Sequence, residues 1–209
     1  MDLGGGKYPA YEEEWLLDGQ PVQPYRRTIN RRDITVVTIT LATTILNVYA
    51  VPVQAGDIFD FVAFNVKTQA TATASHSWVA LYNGVGTGAA LLAQTTDVTA
   101  GWAAGAQHLQ LSAVAANLGT QGIPQGPSSP AITPAGPAVW GLAFYNVTSG
   151  TGTILDGMAG GSVAGEQAIS TQVPLVSTAT VSTTATAPAV LPTMAAASAG
   201  IPYALLSRS

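Results

Sequence analysis

The stretch that decides the fold is His76-Ser77-Trp78-Val79-Ala80-Leu81-Tyr82-Asn83, followed by a glycine-rich turn at residues 84–88 and by Leu91-Leu92-Ala93-Gln94-Thr95-Thr96-Asp97. Trp78 and Tyr82 alternate with Val79 and Leu81, and this period of two is typical of a strand with two different faces. The glycines of the turn tolerate the positive φ angles at which a chain reverses direction. The stretch therefore predicts a β-hairpin.

Further strands are predicted on both sides of this hairpin. The segments are short, apolar and rich in β-branched or aromatic residues, which favour extended structure. They lie at residues 34–41, 45–53, 58–66, 108–112, 138–147, 153–155 and 201–206. With no credible long helix, some eight or nine short strands predict an all-β fold, a two-sheet antiparallel sandwich of jelly-roll type with an extended N-terminal arm. The alternative is an immunoglobulin-like sandwich.

The distribution of charge divides the chain in two. Charged residues make up 9% of it, against about 25% in a typical soluble domain. Eleven of the eighteen charged residues lie in the first 33 positions. We therefore predict an arm at residues 1–33 and a sandwich at residues 34–209. Within the sandwich, residues 119–137 form a Pro/Gly-rich loop, and residues 169–198 form a Ser/Thr/Ala-rich extended segment.

The arm is the predicted partner-binding part of the chain. It is too short to build a core of its own, yet it is richer in aromatic residues than a purely solvated tail. A disordered tail and a solvated basic patch are the alternatives to docking on a partner. The residues expected to make the contact are Tyr8, Tyr11, Trp15, Leu16, Leu17, Tyr25, Arg26, Arg27, Arg31 and Arg32, the arginines by pairing with acidic groups of the partner.

The composition excludes several classes of function. A net charge of −4 argues against binding nucleic acid through its phosphates. No window of about 20 apolar residues predicts a transmembrane helix, and the first residues do not resemble a signal peptide. The chain has no cysteine, which excludes disulfides and thiol chemistry.

No set of residues predicts catalysis, a metal site or a cofactor. The candidate metal cluster, His76, His108 and Asp97, competes with the simpler interpretation of polar histidines at strand ends. No Gly-x-Ser-x-Gly motif marks a nucleophile. Asp57 and Asp60 form the one close acid pair of the body, and solvation of a turn explains them better than paired-carboxylate catalysis. A hydrolase would become credible if His76 or His108 lay beside Asp97 in an open cleft.

Five aromatic residues of the body allow two interpretations. Rings on one surface would form a platform for sugars, whereas rings on alternate strand positions would fill the core, and we favour the core. The five are Trp78, Tyr82, Trp102, Trp140 and Tyr145.

The central segment resembles a β-sandwich module of phages that infect actinobacteria. The resemblance covers roughly residues 45–147 and is carried by residues 78–83, 91–97, Thr99-Ala100-Gly101-Trp102-Ala103-Ala104 and Val139-Trp140-Gly141-Leu142-Ala143-Phe144-Tyr145. In that family the module occurs in minor tail proteins, fibres and other virion surface proteins. The long loop at 119–137 departs from the family pattern. The resemblance implies a structural or adhesive role and carries no catalytic residues.

Together these observations predict a protein on the outer surface of a bacteriophage virion. A small β domain with a docking arm fits a capsid decoration or cement protein, whose arm lies on the major capsid protein and whose sandwiches meet as homotrimers. Fully extended, such an arm reaches roughly 100 Å. The alternative is a tail-tip or fibre module that binds host cell-surface glycan through the 119–137 loop and exposed aromatic residues.

Overall fold

The computed structural model describes residues 26–28, 35–53, 57, 59–71, 74–113, 138–158, 176–182, 184–197 and 200–207. No helix occurs in these residues, so the predicted all-β class is confirmed. The strands are β1 (Arg26–Arg27), β2 (Thr35–Thr40), β3 (Ile45–Val53), β4 (Phe61–Thr68), β5 (Ala74–Tyr82), β6 (Leu91–Gln94), β7 (Gly105–Gln110), β8 (Ser112–Ala113), β9 (Ala138–Thr148), β10 (Ile154–Met158), β11 (Val176–Thr180), β12 (Ala195–Ala196), β13 (Ile201–Pro202) and β14 (Ala204–Ser207).

The strands pair antiparallel in two seven-stranded sheets. The first sheet contains β1, β2, β4, β7, β10, β13 and β14, and the second runs in the order β12-β11-β3-β9-β5-β6-β8. Buried side chains of both sheets meet in one central core, for example Phe64 and Leu155 of the first sheet with Val79 and Phe144 of the second. The predicted two-sheet antiparallel sandwich is confirmed, and its jelly-roll connection stays a prediction.

The hairpin forms as predicted. β5 pairs with β6, with Ala80 opposite Gln94 and Leu81 opposite Ala93. Gly88 in the turn has a φ of 84°, a conformation that side chains disfavour. β5 also pairs with β9 along most of its length, so the hairpin lies inside the second sheet. The period of two separates two faces, and from Ser77 to Tyr82 both faces of β5 are buried.

The outer face of the second sheet carries a second core. Val79 and Leu81 point into the central core, whereas Trp78, Ala80 and Tyr82 belong to this outer core. It is covered by residues 181–182 and 184–194, which we call the strap, through Ala187 and Leu191 in particular. The strap lies within the Ser/Thr/Ala-rich segment predicted at 169–198. It packs on the second sheet of its own chain.

The predicted strand at residues 108–112 is wrong in its extent. The chain leaves the first sheet after β7 and enters the second at β8, and Leu111 between them is fully buried. Its backbone N–H donates to the carbonyl oxygen of Asp60 at 2.7 Å. Alternating polar and apolar residues show a strand but not the sheet to which it belongs, and this change of sheet therefore leaves no mark in the local sequence.

Candidate functional site

Two of the ten residues predicted to bind a partner are described by the structure, namely Arg26 and Arg27. The other eight lie outside the described residues: Tyr8, Tyr11, Trp15, Leu16, Leu17, Tyr25, Arg31 and Arg32. The predicted loop at 119–137 lies outside them as well. The candidate site that the structure does describe is the place where the N-terminal segment joins the sandwich.

This junction is a short strand of the first sheet. In β1, Arg26 lies opposite Leu206 and Arg27 opposite Leu205 of β14. The next residue, Thr28, donates its backbone N–H to the carbonyl oxygen of Ala204 at 3.1 Å. The body of the protein therefore extends to Arg26, and the boundary predicted at residue 33 falls later than the first residues of the sheet.

The side chain of Arg26 binds a buried carboxylate of its own chain. Its Nε donates to Oδ2 of Asp57 at 2.6 Å and its Nη2 to Oδ1 at 2.8 Å. The Asp57 side chain is only 4% exposed, and that of Arg26 is 27% exposed. Two parallel charge-assisted hydrogen bonds of this kind are among the strongest side-chain contacts in proteins.

The expectation that Arg26 pairs with an acidic group of a partner is therefore corrected. Its guanidinium is engaged by Asp57, and the carboxylate that we attributed to turn solvation is buried. The sequence carries only a weak signal for this pair, since the two residues are 31 positions apart. The arginine couples the N-terminal segment to the loop before β4, and it does so inside one molecule.

The structure also places His76 beside Asp97, as the hydrolase hypothesis requires. His76 Nδ1 lies 2.6 Å from Oδ2 of Asp97, and the two side chains are 24% and 14% exposed. The other carboxylate oxygen, Oδ1, accepts the backbone N–H of Ser77 at 2.9 Å. Asp97 thus receives one bond from a side chain and one from the backbone of β5.

These bonds continue the pairing of β5 beyond the end of β6. Thr95 donates its N–H to the carbonyl oxygen of Val79, and its hydroxyl accepts the N–H of Val79. Two residues on, Asp97 accepts from Ser77, and Val98 donates to the carbonyl oxygen of Ser77. The side-chain oxygens of Thr95 and Asp97 stand where strand carbonyls would stand. This explains a polar Gln94-Thr95-Thr96-Asp97 sequence directly after an apolar strand.

Ser77, the hydroxyl residue that follows His76, is not placed to act as a nucleophile for the His76–Asp97 pair. The hydroxyl of Ser77 is fully buried and accepts a hydrogen bond from Nδ2 of Asn146 at 2.8 Å. Adjacent residues of a strand point to opposite faces, which separates Ser77 from the imidazole of His76. The pair therefore serves to hold the 95–98 segment on β5.

The candidate metal cluster of His76, His108 and Asp97, which the sequence did not favour, does not form. His108 lies on β7 in the other sheet, where its ring stacks on Phe61 with centroids 4.3 Å apart and planes inclined by 6°. Within the described ranges, no group of three or more His, Asp or Glu side chains is placed to hold a metal ion.

The five aromatic residues are buried as expected, but only Trp102 and Trp140 fill the core between the sheets, whereas Trp78, Tyr82 and Tyr145 lie in the outer core beneath the strap. Each is at most 1% exposed, so none is available as part of a sugar platform. Three of them hold the strap by donating to its backbone carbonyl oxygens. These bonds are Trp78 Nε1 to Thr184 at 3.0 Å, Tyr82 OH to Pro188 at 2.9 Å and Tyr145 OH to Ser182 at 3.1 Å.

Two buried tyrosines allow the strap bonds to be tested by pH. Burial raises the pKa of Tyr49 and of Tyr82 above the ordinary value of a phenol, because the phenolate would be desolvated. The hydroxyl of Tyr82 is bonded to the strap, whereas that of Tyr49 lies in the central core without a partner in the described structure.

We expect Tyr82→Phe to lower the free energy of unfolding by about 1 kcal/mol at pH 7 and Tyr49→Phe to leave it unchanged or raise it. Above pH 10 the wild type should lose stability, because the unfolded chain releases phenol protons that the folded chain retains. The loss of unfolding free energy is at most about 1.4 kcal/mol per pH unit for each tyrosine. Each Phe variant should lack the part of this loss that comes from the tyrosine it replaces. Denaturant unfolding at pH 7 and near pH 11 measures both effects. Equal losses at pH 7 for the two variants would contradict the assignment.

Comparisons with protein-family models and with curated proteins found no match to this sequence. Among the described residues there is no helix of the length and apolarity that crossing a membrane requires. The assignment of function therefore depends on the residues themselves.

Proposed function

We propose that this chain is a structural protein of a bacteriophage virion, a decoration or cement protein of the capsid. In this role, the residues before β1 lie on the major capsid protein, and the sandwich faces the outside of the particle. The observation that carries the proposal is the junction at β1, where Arg26 and the buried carboxylate of Asp57 attach an aromatic-rich segment to the sandwich through a partly buried ion pair.

The junction has the properties that a cement protein needs. When a segment holds two proteins together, any force between them acts on the sandwich at the point where the segment joins it. Strand β1 has only two residues and few backbone bonds of its own. The bidentate pair adds a charge-assisted contact to the loop before β4, which resists separation of β1 from β14. Twenty-five residues precede β1 and extend to roughly 80 Å, enough to cross a neighbouring subunit.

The body suits an outward position. Seven charged residues in positions 34–209 leave a surface composed mainly of small polar and apolar residues. The sandwich needs no disulfide, because its two cores bury all five aromatic residues considered above. The homotrimer implied by the decoration role stays a prediction.

The tail-tip or fibre alternative keeps less support than the decoration role. Its sugar platform required exposed aromatic residues, and the five candidates are buried. Its second contact, the 119–137 loop, lies outside the described residues. We therefore place the decoration role first and binding of host cell-surface glycan second.

Deleting residues 2–25 is expected to leave a folded sandwich that no longer enters particles. The deletion ends before Arg26, so it leaves β1 and the Arg26–Asp57 pair in place. Protein per virion, measured by quantitative mass spectrometry on purified particles, should fall at least about tenfold, as expected if the lost contacts contribute about 1.4 kcal/mol or more. Thermal unfolding of the purified variant should match that of the full chain.

A matched variant of full length separates loss of contacts from loss of length. Serine at Tyr8, Tyr11, Trp15, Leu16 and Leu17 should reduce incorporation like the deletion, whereas serine at Gly4, Gly5 and Gly6 should not. Wild-type occupancy of the deletion variant would overturn the proposal. Electron microscopy of labelled particles distinguishes a position on the head from one on the tail.

A further inference from the structure

Strand β2 forms an edge of the first sheet. It pairs with β10, with Thr40 opposite Ile154, Ile39 opposite Leu155 and Thr38 opposite Asp156. No other strand of the described chain pairs with it. Within the described ranges, one side of β2 therefore has no neighbouring strand, and we call it the open side.

The direction of the backbone groups of β2 follows from one hydrogen bond. Leu41 donates its N–H to the carbonyl oxygen of Thr153 at 2.9 Å, so Leu41 faces β10. In an antiparallel ladder the N–H and C=O of one residue point to the same side, and successive residues alternate. Ile39 therefore also faces β10, and Thr38 and Thr40 direct both groups to the open side. Neither backbone has a hydrogen-bond partner within the described ranges.

The open side lacks the features that keep an edge from pairing. Natural edge strands are protected by lysine, proline, bulges or a covering segment. Residues 38–40 are uncharged and contain no proline, and the side chains of Thr38 and Thr40 are exposed. The register of β2 against β10 shifts between Asp156 and Gly157, so the pairing of residues 38–40 with β10 is regular.

We propose that this edge pairs with the same edge of a second copy of the chain. A two-fold axis beside Ile39 places Thr38 opposite Thr40 of the second copy, and Thr40 opposite Thr38 of the second copy. Each pair exchanges two N–H···O=C bonds, and all four outward backbone groups of each copy are used. The first sheets of the two copies then form one continuous sheet.

The occupant is a second copy because this edge is complementary to itself. A two-fold axis perpendicular to the strands makes such a pair antiparallel, which is how every described strand of this protein pairs. Donors and acceptors are equal in number on the two sides, and no charge repels its own image. Threonine beside threonine is a favourable cross-strand pair. Strand β7 also has a single described neighbour, β4, and the backbone groups of His108 point away from it; two-fold pairing about His108 would bring two imidazole rings side by side.

The pairing is tested by the mass of the full chain in solution. Sedimentation equilibrium should give two chains for the wild type, and not the three chains of the homotrimer that the decoration role implies. Thr38→Pro removes an outward N–H and no bond to β10, and it should weaken the dimer by about 30-fold or more, since each dimer loses two hydrogen bonds. Gln110→Pro, which removes an outward N–H from β7, is the matched control and should leave the mass unchanged.

Introduced charges at residues 38 and 40 test which residues lie opposite each other across the two-fold axis. This test does not depend on whether the strand tolerates proline. The double variant T38K/T40K places lysine opposite lysine across the axis and should give single chains. The double variant T38K/T40E places each introduced lysine opposite the introduced glutamate of the second copy and should give two chains again. The two proteins differ only at residue 40, so equal masses for both would overturn the pairing. A single-chain mass for the wild type, or a three-chain mass that Thr38→Pro leaves intact, would also overturn it. This outcome is independent of whether the protein decorates a capsid.

Discussion

Gly141→Ala is expected to lower the free energy of unfolding by about 3–5 kcal/mol. Gly141 lies in β9, between β3 and β5, at the centre of the second sheet. A Cβ atom at this position would overlap the carbonyl oxygen of Gly84 and lie 2.7 Å from Cγ1 of Val48. Val48 is fully buried and the carbonyl belongs to the backbone, so neither neighbour can move without disturbing the outer core.

Gly86→Ala is the matched control for this substitution. Gly86 lies in the same turn as Gly84, and a Cβ atom there meets nothing within 4 Å. We expect a change within about 0.5 kcal/mol, as for an ordinary surface substitution. Urea unfolding of the wild type and both variants gives the comparison. A cost below about 1 kcal/mol for Gly141→Ala would mean that the turn at Gly84 does not press on β9 as described.

Arg26→Met is expected to cost about 3 kcal/mol of unfolding free energy. The substitution keeps much of the side-chain length but leaves the carboxylate of Asp57, 4% exposed, without its bidentate partner. A buried charge that loses its partner is penalised by its full desolvation. The loss should be largest near β1, and amide hydrogen exchange at Arg27 and Thr28 should accelerate more than exchange in the centre of β9.

The double variant R26M/D57L separates the cost of a buried carboxylate that has lost Arg26 from the value of the pair. It removes both charges, so it should be more stable than R26M alone, by about 1–3 kcal/mol. If R26M/D57L were instead less stable than R26M, the pair would not be the main contact that holds the junction. In the proposed decoration role, Arg26→Met should also reduce the occupancy of particles, because it weakens the point where the docking segment joins the sandwich.

Much of the sandwich was predictable because local patterns decide it. β3 at Ile45–Val53 has the predicted bounds, and the predicted strand at 138–147 differs from β9 by one residue. β-branched and aromatic residues with interrupting glycines are sufficient for such assignments. The first predicted strand, 34–41, also overlaps β2 at Thr35–Thr40.

Other features depend on contacts between distant residues and escaped prediction. The strap is rich in Ser, Thr, Ala and Pro and has no strand pattern. It is held by bonds from Trp78, Tyr82 and Tyr145, more than 30 positions away. Arg26 looked like an exposed basic residue until the fold placed it beside Asp57. The last predicted strand, 201–206, is interrupted at Tyr203. Before Tyr203 the chain pairs with β10 as β13, and after it the chain pairs with β4 as β14.

The sequence by itself determined the all-β class, the 76–97 hairpin and the separation of a charged N-terminal segment from a charge-poor body. These follow from properties of neighbouring residues: period, turn chemistry and charge. Only the tertiary structure decided that both faces of β5 are buried from Ser77 to Tyr82, that His76 holds Asp97 beside a strand end, and that β10 is the one described strand that pairs with β2. A strand pattern shows that two faces differ, but what covers each face depends on residues far along the chain.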